Sequence, residues 1–513
     1  MNRTASRTDK SIKNFTVGAI GYIVTLFLSF IARTIFIKCL SAEYLGINGL
    51  FSNILTVLSF AELGIGDALV FSMYKPAKEG NYEKLEQLLD FYRTAYRAIA
   101  LVVGVVGFAL SFCVDFLVAE KPAINENFRM IFLLFLLDNV CSYLQVYKQA
   151  VLTIEQDNYV ASLLRMAVRV FATIAQSVVL VFTHNYYLYL IMQIAATISS
   201  NIVLAIYVNK HYSWAKKKSN SKLAIEERNA IFKDVKALAV SKIASVVSNG
   251  SDNLVIAKIL GLTSVGIVSN YTLIINSIYS FLWSAISSVS SSFGNLNVDA
   301  SIEKKRSVFN ELYLFTLWVY AFVSISVMVL INPFISVWLG DEYLTNQAVA
   351  FALVLIVFIS GINFPIFTFR TTCGYFDEAK SAYVWFAILN ITLSVILGKH
   401  FGLFGVYIAT SISRFCTSEI REGIIVYRKV LELPVRKYFI RYIGMLVLVF
   451  LNYEITNCIV SRIQLQGIGG FFVKAIVCAI ICNMILLACF FRTVPFKNLT
   501  ERGMQVIKKK KSK

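Results

Sequence analysis

The 513-residue sequence lacks the residue clusters that usually hold metals or disulfides. It has three histidines, far apart in the chain, and nine cysteines that nowhere form a Cys-x-x-Cys pair. Most of the cysteines lie inside apolar runs, where cysteine behaves as a small hydrophobic residue. The histidine spacing does not fit the ligand patterns of zinc sites. We therefore expect no metal site and no cofactor.

Charged residues are also scarce, at 15% of the chain, whereas 57% of the residues are hydrophobic and the mean hydropathy is +0.67. Apolar runs of about 20 residues, the length of a membrane span, recur from end to end. They do not alternate as the strands of a barrel would. The sequence predicts an all-α polytopic membrane protein with about fourteen transmembrane helices. The predicted spans are 15–38, 46–73, 95–118, 128–148, 159–183, 186–208, 237–260, 266–291, 309–334, 347–369, 381–398, 402–424, 440–460 and 469–491.

The basic residues are distributed unevenly between the two ends of these spans. Of 49 lysines and arginines, 37 lie in the termini and in the loops on one side. The positive-inside rule predicts that both termini are cytoplasmic. The same asymmetry accounts for most of the +19 net charge, so we expect no nucleic-acid partner. The tail "KKKKSK" fits either a topology determinant or a site for anionic lipids.

No long loop is predicted on the outer side. Membrane polymerases and lipid-dependent glycosyltransferases generally carry a substantial loop there for catalysis. The sequence therefore favours a protein that is not an enzyme.

An internal repeat is visible when the chain is shifted by 220 residues. "FIKCLSAEYLGINGLFSN" (36–53) then lies over "IAKILGLTSVGIVSNYTL" (256–273), with Lys38 over Lys258 and Gly46 over Gly266. This pattern predicts two six-helix bundles in a pseudo-twofold arrangement, plus two C-terminal helices. The predicted domains are an N-terminal bundle (1–208), a basic cytoplasmic linker (209–236), a C-terminal bundle (237–427), and the extra helices with a basic tail (428–513).

Several basic residues lie inside predicted spans, and five of them are candidates for a binding role. A charge at a helix centre costs about 2.5–3.5 kcal/mol on insertion scales, so such residues tend to face a cavity or a partner. Guanidinium groups bind phosphate oxygens in a bidentate manner, which favours an anionic substrate. Snorkelling to the membrane surface is the alternative, and for Arg33 both interpretations stay open. The candidates for a cationic cavity are Arg33, Arg165, Arg169, Lys242 and Arg414.

Four of the acidic residues inside predicted spans are candidates for a further role: Glu62, Asp67, Asp138 and Asp252. They either bind a coupling ion, H⁺ or Na⁺, or pair helices through hydrogen bonds. In the repeat register, Asp252 lies one residue before the position that matches Arg33. Both halves thus place strongly polar residues at a similar depth of their first helix.

Three stretches resemble polysaccharide flippases of the Wzx type, whose superfamily also contains multidrug and toxin extruders and lipid II flippases. They are "LSAEYLGINGLFSNILTVLSFAELGIGDALVFSMYKPAKEGNYEKL" (40–85), "EQDNYVASLLRMAVRV" (155–170) and "SDNLVIAKILGLTSVGIVSNYTLI" (251–274), with Val268 where the family has tyrosine. The resemblance implies two six-helix bundles with two extra helices, alternating access and a lipid-pyrophosphate-linked oligosaccharide as cargo. It implies a cationic cavity at Arg33, Arg169 and Arg414, and by extension at Arg165 and Lys242.

The resemblance further implies that the protein lies in the bacterial plasma membrane. It also implies that a polysaccharide polymerase acts in the same process. Its partners would be the lipid-linked oligosaccharide and membrane lipids. Three alternatives stay open on the sequence: a multidrug cation antiporter, a lipid II flippase and, from a different class, a membrane glycosyl polymerase or transferase.

Overall fold

The structure is a computed structural model that describes residues 7–501, except 63, 119–123, 218, 220, 222, 295–300, 376 and 466. Inside several helices some side chains are also outside the described residues. Those of Asp67 and Lys242, both candidates from the sequence, belong to this group.

Over the described ranges the regular structure is helical throughout, which confirms the predicted fold class. The first nine helices are α1 (Arg7–Cys39), α2 (Ala42–Leu58), α3 (Ile65–Glu79), α4 (Tyr82–Leu110), α5 (Phe128–Tyr143), α6 (Val146–Ile154), α7 (Asn158–Thr183), α8 (Tyr186–His211) and α9 (Ile225–Leu260). The next eight are α10 (Leu262–Gly294), α11 (Ile302–Trp338), α12 (Gln347–Ile362), α13 (Phe364–Thr372), α14 (Lys380–Arg414), α15 (Ile420–Ile425), α16 (Val435–Ser461) and α17 (Gly467–Phe490).

Eleven helical segments of the described chain are long and apolar enough to cross a membrane. One of them, Ser381–Val430, contains both the eleventh and the twelfth predicted spans. The second predicted span is divided between α2 and α3, of 17 and 15 residues, and is not among the eleven. The seventh lies in α9, where many side chains are outside the described residues.

The chain forms two compact units, Met1–Gly266 and Ile267–Lys513. In the first unit α1 packs on α7, α7 on α8, α5 on α8 and α2 on α9. In the second unit α11 packs on α12 and α17, α12 on α14, and α16 on α17. The domain boundaries predicted from the sequence stay predictions.

The starts of α2 and α10 follow the 220-residue register of the repeat. The two helices begin at Ala42 and Leu262, and their contact is reciprocal. A Cβ atom on Gly46 would lie 2.0 Å from the carbonyl oxygen of Leu262, and one on Gly266 would lie 2.0 Å from that of Ala42. Glycine lets the two backbones approach this closely, as small residues commonly do between membrane helices.

Several spans are broken at residues that the sequence marks as helix breakers. In "AELGIGD" the chain passes through left-handed Gly64, with φ +78°, between a 3₁₀ turn (Ser59–Glu62) and α3. Pro365 stands in the first turn of α13, where its missing N–H costs little. The chain turns at Gly402, with φ +60°, and the Asn390 amide donates to the Thr410 hydroxyl across that turn at 2.8 Å.

The segment 211–238 mixes basic and apolar residues, a pattern that predicts an amphipathic linker helix at the membrane surface. The structure divides it into two parts. Its first part is a 3₁₀ turn (Ser213–Lys216) in which Trp214 is buried in the first unit. Its second part opens α9, which continues from Ile225 into the seventh predicted span. No proline or glycine stands between 225 and 238 to end the helix, so the linker helix and the span are one element.

Candidate functional site

In the first unit, two of the predicted arginines lie near one tyrosine. Arg33 on α1 and Arg169 on α7 both act electrostatically on the hydroxyl of Tyr189 on α8. The Tyr189 ring is held edge-on by Phe36, with ring centroids 5.3 Å apart, and stacks on Tyr186. Because α7 packs against both α1 and α8, the fold brings Arg33 and Arg169 to one region of the unit.

Arg165, one turn before Arg169, is exposed and donates a hydrogen bond to the side chain of Gln149 on α6. This contact ties α7 to α6 and fits the anchor interpretation of Arg165. The Lys242 side chain lies outside the described residues, so its predicted role stays a prediction.

In the second unit, Arg414 is half-buried at the end of α14. Its Nη1 donates to the Ser360 hydroxyl of α12 at 2.8 Å, and its guanidinium lies 5.3 Å from the centroid of the Phe386 ring. A cation over an aromatic ring keeps its charge while losing part of its water. Arg414 is thus a preformed cationic group within the second unit.

Two predicted acidic candidates hold helices together. Asp138 on α5 accepts hydrogen bonds from Gln193, at 2.8 Å, and Thr197, at 2.5 Å, both on α8. Glu62 accepts from the Tyr96 hydroxyl of α4 at 2.6 Å. These contacts fit the helix-pairing interpretation.

The structure gives fewer contacts for the other two acidic candidates. Asp252 is half-buried on α9. The Asp67 side chain lies outside the described residues. A coupling-ion role for any of the four stays a prediction.

The sequence analysis did not identify a buried ion pair in the second unit. Arg370, 4% exposed, lies 3.2 Å from Glu422, 2% exposed. Glu422 also accepts hydrogen bonds from Tyr383 and from the Asn363 amide, the latter at 2.8 Å. Arg370 in turn donates to the carbonyl oxygen of Tyr375 at 3.0 Å. The pair thus has several polar partners, as a buried charge pair requires, while the Nε of Arg370 bonds to no described group.

Next to this pair lies a second buried carboxylate, Glu419, which is 2% exposed. It ends a π-helical turn (Phe415–Glu419) that begins directly after Arg414. In a regular α-helix, residues five apart point about 140° away from each other. A π-turn bonds residues five apart and brings them towards one side. The sequence alone, read with α-helical periodicity, therefore separates Arg414 from Glu419.

A buried cation also occurs in the first unit at a comparable place. The fourth and tenth predicted spans each break into a long helix and a nine-residue helix, α6 and α13. Lys148 on α6 is 5% exposed and donates to Asn209 and to the carbonyl oxygen of Ala215, each at 2.7 Å. Arg370 on α13 is its counterpart, with Glu422 in place of the neutral amide. Lys148 is the last residue of the fourth predicted span, 128–148, and its position there gives no sign that it is buried.

The described side chains offer no cluster of three or more histidine, cysteine, aspartate or glutamate residues for a metal ion. The chemistry that these groups support is the binding of an anion by arginine and the binding of a proton by a carboxylate.

Comparison with known proteins gives a family and a fold. Residues 11–290, more than half of the chain, match the model of a family described as polysaccharide biosynthesis protein. No curated protein matches the chain.

Among solved structures, the lipid II flippase MurJ in an inward closed conformation has a TM-score of 0.65 at 16% identity. The likeness covers 94% of this chain and 99% of that one. An inward-facing multidrug resistance MATE family transporter of the MOP superfamily has a TM-score of 0.60 at 13% identity, over 83% and 99% of the two chains. A mutant of the Vibrio cholerae MATE transporter VcmN has a TM-score of 0.54 at 13% identity, over 83% and 98%. At these identities the likeness concerns the fold alone.

Proposed function

This chain belongs to the polysaccharide biosynthesis protein family, and we propose that it is a flippase for a lipid-linked oligosaccharide. Its cargo would be an undecaprenyl-diphosphate-linked repeat unit, moved from the cytoplasmic to the outer leaflet by alternating access. The product would supply surface polysaccharide synthesis, such as that of capsule or lipopolysaccharide.

The observation that carries the proposal is the placement of arginines in spans whose carboxylates have other partners. Arg33 and Arg169 lie in one region of the first unit, and Arg414 is held by a hydroxyl and an aromatic ring. Asp138 accepts hydrogen bonds from two side chains of α8, and Glu422 forms an ion pair with Arg370. Arginines placed in this way suit a diphosphate, whereas a carrier of organic cations would need negative charge at its site.

Polar amides are candidates for contacts with the sugars. The buried amide nitrogen of Asn53 and the buried side-chain oxygen of Gln145 have no hydrogen-bond partner among the described residues. Asn270 has neither of its amide atoms paired with a described group. The sequence analysis also suggests Asn249, whose side chain is outside the described residues.

The proposed setting is the bacterial plasma membrane, with both termini in the cytoplasm. The basic asymmetry of the sequence supports this orientation. A polysaccharide polymerase would use the product on the outer face.

The proposal includes coupling to an ion. An inside-negative potential favours the return of an empty cationic cavity to the cytoplasmic side, by about 2.3 kcal/mol per charge for each 100 mV. Binding of H⁺ or Na⁺ at a carboxylate would help to drive the cycle.

The test uses purified full-length protein in proteoliposomes. The cargo is an undecaprenyl-diphosphate-linked oligosaccharide with a fluorescent sugar, and a membrane-impermeant quencher reports which leaflet holds it. We expect protein-dependent translocation of this cargo. Uptake of ethidium without movement of the lipid would instead identify a cation antiporter, and translocation of lipid II alone would identify a lipid II flippase.

A further inference from the structure

A cavity lies in the second unit, between the C-terminal end of α11 and the N-terminal end of α17. Its volume is about 460 Å³. Ser336 of α11 and Gly467 of α17 line it, and such small residues leave room between the two helices. Further along, the helices are joined, because the Trp318 indole donates to the side-chain oxygen of Asn483 at 2.9 Å. The cavity thus opens where the two helices end.

Aromatic residues place this cavity at the membrane surface. Val337 in the cavity wall is followed by Trp338, the last residue of α11. The Phe334 ring lies 5.6 Å from that of Trp338 and 5.7 Å from that of Phe471. Tryptophan is enriched where a membrane span meets water. Both helices are long and apolar enough to span a membrane, so these ends lie at the level of the lipid headgroups. In the orientation proposed above, they lie in the outer leaflet.

Two opposite charges line the cavity without pairing. Lys474 of α17 is half-buried and has no hydrogen bond or ion pair with another described residue. Asp341 is exposed in the 3₁₀ turn (Asp341–Tyr343) after α11 and accepts a hydrogen bond from the Ser336 hydroxyl. An ammonium group inside a membrane span is unfavourable without a partner. Lys474, with three donor hydrogens, is therefore suited to hold an anionic group from outside the chain.

The two charged residues lie at different depths in the membrane. Lys474 is about 10 Å along the axis of α17 from its first residue, Gly467, whereas Asp341 lies beyond the end of α11. The cation is thus on the hydrocarbon side of the cavity and the carboxylate on the water side. An ethanolamine phospholipid has the complementary order, because its phosphate is next to the glycerol and its ammonium group is outermost.

The apolar part of the cavity wall fits a lipid better than a water-soluble phosphate compound. Val337 and Ile468 line the cavity and are exposed. Ile476, about two turns further along α17, is also exposed. These side chains form an apolar surface that begins at the cavity and continues towards the membrane centre. Acyl chains attached to a headgroup in the cavity would lie along it.

We propose that this cavity binds the headgroup of phosphatidylethanolamine, with its phosphate at Lys474 and its ammonium group at Asp341. The lysine donates hydrogen bonds to the phosphate, and the carboxylate accepts them from the lipid amine. A choline headgroup has no N–H to donate to Asp341, and phosphatidylglycerol has no positive charge to place there. The site therefore prefers the ethanolamine lipid to both. It involves none of the arginines proposed to bind the cargo.

The first experiment measures lipid binding by native mass spectrometry of the full-length protein in detergent. Phosphatidylethanolamine, phosphatidylcholine and phosphatidylglycerol are compared at equal concentrations. We expect the wild type to retain the ethanolamine lipid preferentially. Lys474→Ala should lower the ratio of bound to free protein about tenfold, because it removes a charge-assisted hydrogen bond. Lys399→Ala, an exposed lysine on α14, should keep the wild-type ratio. A wild-type ratio in Lys474→Ala would overturn the proposal and leave Lys474 as a snorkelling residue.

The same measurement on Asp341→Asn tests which headgroup the cavity selects. The amide keeps an acceptor but lacks the negative charge that holds the lipid ammonium group. This variant should therefore bind the ethanolamine and choline lipids equally well. If it still prefers the ethanolamine lipid as strongly as the wild type does, the assignment of the headgroup is wrong.

Thermal unfolding separates a loss of binding from a loss of folding. A ligand that binds the folded state raises the melting temperature. Phosphatidylethanolamine should therefore stabilise the wild type and Lys474→Arg, which keeps the charge, but not Lys474→Ala. Without added lipid the three proteins should melt at the same temperature. Equal stabilisation of Lys474→Ala by the lipid would contradict a role of Lys474 in binding it.

A soluble analogue distinguishes a lipid site from a site for a free phosphate compound. Glycerophosphoethanolamine has the same headgroup without acyl chains. At the concentration at which the lipid stabilises the wild type, it should leave the melting temperature unchanged. Stabilisation equal to that by the lipid would show that the ligand is water-soluble and would overturn the lipid assignment.

Discussion

Gly46 and Gly266 occupy the same position in two helices that contact each other, 220 residues apart. Each would place a Cβ atom 2.0 Å from a carbonyl oxygen of the opposite helix, the oxygens of Leu262 and Ala42. The two carbonyls belong to the first residues of α10 and α2. The two matching stretches of the internal repeat thus pack against each other at their matching glycines.

We expect Gly46→Ala to destabilise the protein by about 1–3 kcal/mol, because the added methyl forces two backbones apart. Gly444→Ala is the matched control, since nothing lies within 4 Å of its added Cβ. Thermal unfolding in detergent, followed by tryptophan fluorescence, compares the two. Equal melting temperatures for both variants would show that α2 and α10 are not in close contact at these glycines.

A second prediction concerns the ion pair between Arg370 and Glu422. Arg370→Met should cost about 3–5 kcal/mol, because it leaves a buried carboxylate without its counter-charge. The double variant Arg370→Met/Glu422→Leu should be more stable than the single one, because it removes both charges. Chemical or thermal unfolding measures the difference. A double variant that loses the sum of both single effects would contradict a direct pair.

A third prediction concerns the hydrogen bonds of Asp138. Asp138→Leu removes the acceptor of the half-buried Gln193 and Thr197 side chains. Each lost hydrogen bond should cost about 1–3 kcal/mol of the free energy of unfolding. Asp138→Asn keeps one acceptor and should unfold nearer to the wild type. Asp115→Asn, an exposed residue, controls for the loss of charge.

The same variants separate the two interpretations of Asp138. If Asp138 only pairs helices, the Asp138→Asn variant should translocate cargo with the same dependence on the ion gradient as the wild type. A loss of dependence on the H⁺ or Na⁺ gradient in this variant alone would instead assign Asp138 to coupling.

Long apolar runs made the helices predictable to within a few residues. The fifth predicted span, 159–183, is α7 (Asn158–Thr183), and the sixth, 186–208, is most of α8. Glycine and proline marked the breaks at Gly64, Gly402 and Pro365, because these residues have distinct backbone limits.

The burial of charged groups near the ends of spans could not be predicted from the sequence. Lys148, Arg370 and Glu422 have the spacing of surface charges, and only the packing of neighbouring helices buries them. Glu419 was missed for a local reason, since a π-turn changes which residues share a side of the helix. Of the predicted cationic residues, the structure brings Arg33 and Arg169 within electrostatic range of one tyrosine, a proximity that no spacing in the sequence predicts.

The most direct test of the account is the initial rate of cargo translocation by variants of Arg33 in proteoliposomes. Arg33→Ala should lower the rate on the order of tenfold or more, because hydrogen bonds to charged groups contribute about 1.5–3 kcal/mol each. Arg33→Lys should recover little of it, since a point charge lacks the bidentate fork. Lys38→Ala, an exposed lysine on the same helix, should translocate at the wild-type rate. Wild-type translocation by correctly folded Arg33→Ala would contradict the account and leave Arg33 as a membrane anchor.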